Sequence, residues 1–155
     1  MLHIYDDDTA INLMDYQGHM FYLIPMELPD ADVFSFIDGW MCSASRMALD
    51  NGSPKLIYKS GYELLMWYLN QELFNKYPKR IYENDPHILH WVGLIYQLYC
   101  YEEKIASAEL VRILPPDVLY SMYHPWHELS DMGAIRRIKD YVYKREGKIV
   151  SLQHQ

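Results

Sequence analysis

The chain has 155 residues, half of them hydrophobic and 23% charged, with a net charge of −7. That length and apolar content suit one domain whose core needs no disulfide staples, and they exclude a generally disordered polymer. The charge is lopsided: residues 1–54 hold nine acids and one base, Arg46, whereas residues 55–155 hold twelve acids and thirteen bases, and an acidic first third repels nucleic acid and attracts basic partners.

Residues 2–5 and 19–24 are short runs rich in aromatics and Ile that read as strands of a small N-terminal β-hairpin. Between them Asp8 and Thr9 open a brief helix over Ala10–Tyr16, which Gly18 ends. Pro25 and Pro29 argue against continuous helix through residues 25–30. Asp30 or Asp32 opens the next helix, in which Val33, Phe36, Ile37, Trp40, Met41, Ala44, Met47 and Ala48 step at three and four. Asp50 to Pro54 breaks it. Ser60 and Glu63 form a capping box for a helix from Gly61 to Tyr77, closed by Pro78.

Asp85 as N-cap and Pro86 as first helical residue open a central helix through Lys104. It is apolar nearly all round, with only His90, Gln97 and its ends facing water, and such a helix is buried on several sides. A short helix follows over residues 108–114, started by Ser107 or the residues just before it, and another over Asp117–Tyr123, with interruptions at Pro115, Pro116 and Pro125. Ser130 caps the last helix, and Gly147 is its natural stop. The expected fold is mainly α: one domain over residues 1–155, with an acidic segment (1–29), a helical-bundle core of five or six helices (30–147) around residues 85–104, and a tail (148–155).

Cys42 and Cys100 are the only cysteines and stand 58 positions apart, without CxxC spacing. Both fall in apolar helical patterns and read as free thiols of a reducing, cytoplasmic compartment. The stretch MLHIYDDD lacks the basic and apolar regions of a signal peptide. The longest apolar run, the central helix, is too short to span a bilayer, so no membrane association is expected.

Histidines stand at i, i+3 twice, His87/His90 and His124/His127, a spacing that puts two rings on one helical face. His87 falls in a first helical turn and Pro125 sits inside the second pair. The reading is therefore His90 at the core boundary and His124/His127 in a turn, with no metal and no cofactor. Arg80 precedes His87 with six residues between, the loose spacing of helical RNases of the HEPN class. There His acts as general base on a ribose hydroxyl and Arg stabilises the phosphorane charge. Pro86 before the His and Ile81 after the Arg depart from that pattern. No P-loop, GxGxxG or GxSxG is present.

Asp6, Asp7, Asp8, Glu27, Asp30 and Asp32 are the candidate docking acids. Tyr123 and Trp126, on a proline-bounded turn, have the character of interface anchors, or else fill the gap between the last two helices. Fifteen tyrosines against four phenylalanines point to aromatic bulk at core boundaries.

The order Trp91–Tyr99, then Ile105–Leu110, then Pro115–His124 and an amphipathic end helix resembles uncharacterised small helical antitoxin-like and accessory proteins of Gram-positive gut bacteria and their mobile elements. The likeness is one of apolar and aromatic positions over about the last 70 residues, and it carries no functional residue over. It implies an accessory or antitoxin-like role. The expected function is a non-enzymatic acidic protein that neutralises a basic partner protein without contacting nucleic acid. A small RNase using Arg80 and His87, and a subunit of a homo-oligomer, are the alternatives.

Overall fold

A computed structural model describes residues 2–71 and 84–153. Among these the chain is mainly helical: α1 (Asp7–Glu27), α2 (Val33–Met41), α3 (Ala44–Asp50), α4 (Gly61–Gln71), α5 (Pro86–Glu103), α6 (Ser107–Ile113), α7 (Pro116–Ser121), α8 (Tyr123–Trp126) and α9 (Asp131–Gln153). No described residue lies in a strand. No helix of the described residues is long and apolar enough to cross a membrane.

The closest packing joins α1 to α5. The two run antiparallel: Asp7 meets Tyr101 at one end, Gln17 meets Gly93 midway, and Tyr22 meets His87 at the other end. Glycine sets how close they come. A Cβ on Gly93 would lie 2.6 Å from the Gln17 carbonyl oxygen, and one on Gly18 would lie 2.9 Å from that of His90. Gly61 brings the start of α4 onto α1 in the same way, its Cβ position being 2.6 Å from the Met20 nitrogen.

Helix α5 follows its sequence closely. Asp85 caps it by accepting the His87 N–H at 2.9 Å, Pro86 occupies its first turn, and Lys104 ends it in the left-handed conformation at φ 52°. The capping box at α4 also forms: Ser60 Oγ accepts the Glu63 N–H, and the Glu63 carboxylate accepts the Ser60 N–H, both at 3.3 Å.

Four expectations are corrected. The hairpin is absent, because α1 runs without a break through Gly18 and residues 19–24. Its buried residues Leu13, Met14, Gln17, Met20, Phe21 and Ile24 keep the helical period, and a buried glutamine and glycine had disguised it. Pro25 falls in the last turns, where its missing N–H costs one bond, and the helix ends when the Leu28 N–H bonds Ile24 O at 2.8 Å. The second predicted helix divides into α2 and α3, because Ser43 donates to Trp40 O at 2.7 Å and caps α3 by accepting the Arg46 N–H at 3.0 Å. The last helix continues through Gly147 to Gln153. The predicted extension of α4 toward Tyr77 lies outside the described residues.

Candidate functional site

An open groove of about 540 Å³ lies where α1, α5 and α8 meet. It is lined by His19 and Tyr22 of α1, His87, His90, Trp91 and Leu94 of α5, and Tyr123 of α8 with the adjacent His127. Two sets of rings build it. Tyr22 stacks on His19 at 6.2 Å and meets the edge of His87 at 5.5 Å. Tyr123 stacks on His127 at 4.1 Å and meets Trp91 edge to face at 5.6 Å. His87 and His19 are exposed, and His90 and His127 are half-buried.

Burial holds His90 below the usual histidine value; the charges of His19 and His87 push the same way, and the Asp15 carboxylate opposes them. His127 Nδ1 lies 2.8 Å from the Tyr123 carbonyl oxygen. A carbonyl only accepts, so Nδ1 carries the proton, and Nε2 is an acceptor while the ring is neutral. Among the described residues, no group of three His, Cys, Asp or Glu side chains is placed to hold a metal ion.

The two histidine pairs are thus partly brought together. His87, His90 and His127 share the groove with His19, while His124 is exposed, with its ring edge-on to Tyr123. His19 and Tyr22 have the same i, i+3 spacing, which a strand reading of residues 19–24 concealed. Arg80 lies outside the described residues. Of the two aromatic anchors, Tyr123 lines the groove, and Trp126 packs half-buried against the core.

The candidate docking acids do not form one surface. Asp6, Asp7 and Asp8 are exposed at the start of α1, where Asp6 caps the helix and Asp7 accepts the Tyr101 hydroxyl. Glu27 and Asp30 are exposed at its other end. A helix of 21 residues separates them, about 30 Å at 1.5 Å per residue. Asp32 is buried and caps α2 by accepting the Ser35 N–H at 3.4 Å.

Comparison of the chain with protein-family models, curated proteins and solved structures gave no match.

A second concentration of polar groups lies wholly inside. Arg46 has no exposed surface and donates to Ser107 Oγ at 2.7 Å, Gln17 Oε1 at 2.8 Å and Gln97 Oε1 at 2.6 Å. The buried Asp50 carboxylate lies 3.4 Å from the guanidinium and accepts both the hydroxyl and the backbone N–H of Ser107. Gln97 donates to Tyr5 Oη at 2.8 Å. His3 Nε2 is 2.8 Å from the Ile105 carbonyl oxygen, so it donates there, and Nδ1 accepts the Tyr5 hydroxyl at 2.8 Å. Burial, the largest cause, holds the His3 pKa below the ordinary value, although the Asp50 carboxylate 3.5 Å from Nε2 pulls the other way. No buried side-chain polar atom of the described residues lacks a partner. Gln97, expected to face water, is in fact fully buried. The signal in the sequence was Arg46 itself, the one base of the first third, set among small and apolar residues.

Proposed function

We propose that the chain is a non-enzymatic binding protein whose acidic surface engages and neutralises a basic partner protein, as antitoxins, immunity proteins and phage-encoded inhibitors do. The observation that carries the reading is the gathering of Asp6, Asp7 and Asp8 with Glu102 and Glu103 at the end of the α1–α5 pair, joined by the Asp7–Tyr101 hydrogen bond. All five are exposed. Two cations adjoin them: Lys139 pairs with Glu103 at 2.5 Å, and Lys104 lies over the Tyr101 ring, so the excess negative charge rests on Asp6, Asp7, Asp8 and Glu102. Such a cluster speeds encounter with a basic surface and makes binding sensitive to salt.

The test compares retention of host proteins on the immobilised wild-type chain and on an Asp7→Lys, Asp8→Lys, Glu102→Lys variant, eluted with a salt gradient. The reading expects a basic protein held by the wild type, inhibited by it, and released by the variant. Unchanged binding and salt dependence after charge reversal would sink it.

A hydrolytic reading has one observation in its favour. His87 stands exposed in a groove with three further imidazoles, which supplies general acid and base groups at one place. RNA cleavage retained by a folded His87→Ala variant would remove it.

A further inference from the structure

We propose that the groove between α1, α5 and α8 is a binding site for a small planar aromatic anion, its ring packed on Tyr22, Trp91 and Tyr123 and its acid group held by the surrounding imidazoles. Size, shape and charge each bear on this. The groove's volume, about 540 Å³, falls within the range of small-molecule sites, roughly 300–1,000 Å³. Three of its eight lining side chains are Tyr or Trp, four are imidazoles and one is Leu94. Aromatic rings with π-faces and edges favour a flat ring over an aliphatic chain. The described lining carries no carboxylate, although the chain as a whole is acidic.

The imidazoles give the site a proton-linked preference. His127 Nε2 accepts when the ring is neutral and becomes a second donor once it is protonated, because Nδ1 is already committed to Tyr123 O. Burial lowers the His90 pKa, and the nearby His19 and His87 push it the same way, against the pull of Asp15 on α1. Asp131 of α9, whose carboxyl is held above the usual range by burial and by Asp15, is not among the lining residues. An anion in the groove supplies the negative charge that the lining lacks, so its binding draws protons onto the histidines. The first turns of α5, which carry His87 and His90, add the partial positive charge of a helix start. The inference does not depend on the acidic end engaging a partner.

The experiment titrates the full chain with naphthoate and, separately, with its neutral amide, by calorimetry and by imidazole-detected NMR. Saturable binding of naphthoate is expected, about tenfold tighter near pH 5.5 than near pH 8, as follows when one imidazole pKa rises by roughly one unit on binding. The amide should bind at least about tenfold more weakly at the lower pH. Wild-type imidazole signals of His87 and His127 should shift during the titration. A His87→Gln, His127→Gln variant, checked for an unchanged melting temperature, should lose most of the pH dependence, and the exposed-site His87→Gln variant alone part of it. The proposal is overturned by an absence of saturable binding, by equal binding of acid and amide, or by naphthoate binding that leaves the wild-type imidazole signals unmoved.

Discussion

Arg46 and Asp50 stand one turn apart on α3, both buried, with the guanidinium 3.4 Å from the carboxylate and also donating to Ser107, Gln17 and Gln97. Neither charge has water to fall back on. Removing one partner of such a pair costs about 3–5 kcal/mol. Asp50→Asn and Arg46→Met should each lower the free energy of urea unfolding by about that much. Their combined effect should fall short of the sum, because each leaves the other charge stranded. A loss below about 1 kcal/mol for either would mean that the cluster relaxes or admits water.

His3 ties stability to pH. Its folded pKa lies below the ordinary 6.5, with burial the largest cause. As pH falls, the unfolded chain takes up this proton before the folded one does. The contribution of neutral His3 is therefore complete above about pH 6.5 and is lost below it, as pH drops toward the folded pKa. His90 is shifted in the same direction and adds to the slope. Between about pH 7 and pH 5, the urea midpoint of the wild type should fall more steeply than that of His3→Gln. Parallel curves would assign the acid sensitivity elsewhere.

Glycine geometry gives a prediction of opposite sign at two sites. At Gly93 an added methyl meets the Gln17 backbone at 2.6 Å, so Gly93→Ala must part α1 from α5. A loss of about 1–3 kcal/mol is expected, visible as a lower melting temperature. At Gly133 the nearest atom is the Ser130 hydroxyl at 3.0 Å, a single side-chain atom that also caps α9 by accepting the Gly133 N–H, and the residue is helical. There the helix preference for alanine, up to about 1 kcal/mol, offsets the contact, and Gly133→Ala should be neutral or slightly stabilising.

The two thiols should differ in reactivity. Cys100 is fully buried, donates toward Ser107 Oγ at 3.6 Å, and its thiol is pushed up to about 12 by burial. Cys42 is exposed, although partial burial and Asp38 raise its pKa as well. Native protein should therefore yield one slowly reacting thiol with a disulfide reagent, and denatured protein both of its two. Rapid reaction of both in the native state would show that the core around Arg46 opens.

Helices with conventional ends were legible in the sequence. Asp85 and Pro86 mark the start of α5, and Ser60 and Glu63 mark that of α4, because caps are local chemistry. Helix α1 was not legible, because Gln17 and Gly18 interrupt its apolar stripe for reasons that lie on other helices. The glutamine serves Arg46, Trp40 and Gly93, and the glycine admits His90. The groove was half legible: the spacing of His87 and His90 was visible, but His19 and His127 join them only through tertiary packing. The tyrosines behave as boundary residues. Of those described, Tyr68, Tyr96 and Tyr99 are buried, Tyr58, Tyr62 and Tyr143 are exposed, and the others lie between.

The bond from His3 to the Ile105 carbonyl spans 102 positions, and the His3 backbone N–H also binds Asp50 O at 2.6 Å. The side chains of His3 and Tyr5 therefore reach from the chain's start into a polar interior, and the order of synthesis matters for their bonds. These residues are made long before Ile105, the partner that holds His3. Until then His3 Nε2 lacks its carbonyl partner, and Arg46 and Asp50 wait without Ser107 as well. During synthesis, this part of the core can therefore close only after Ile105 and Ser107 have been made.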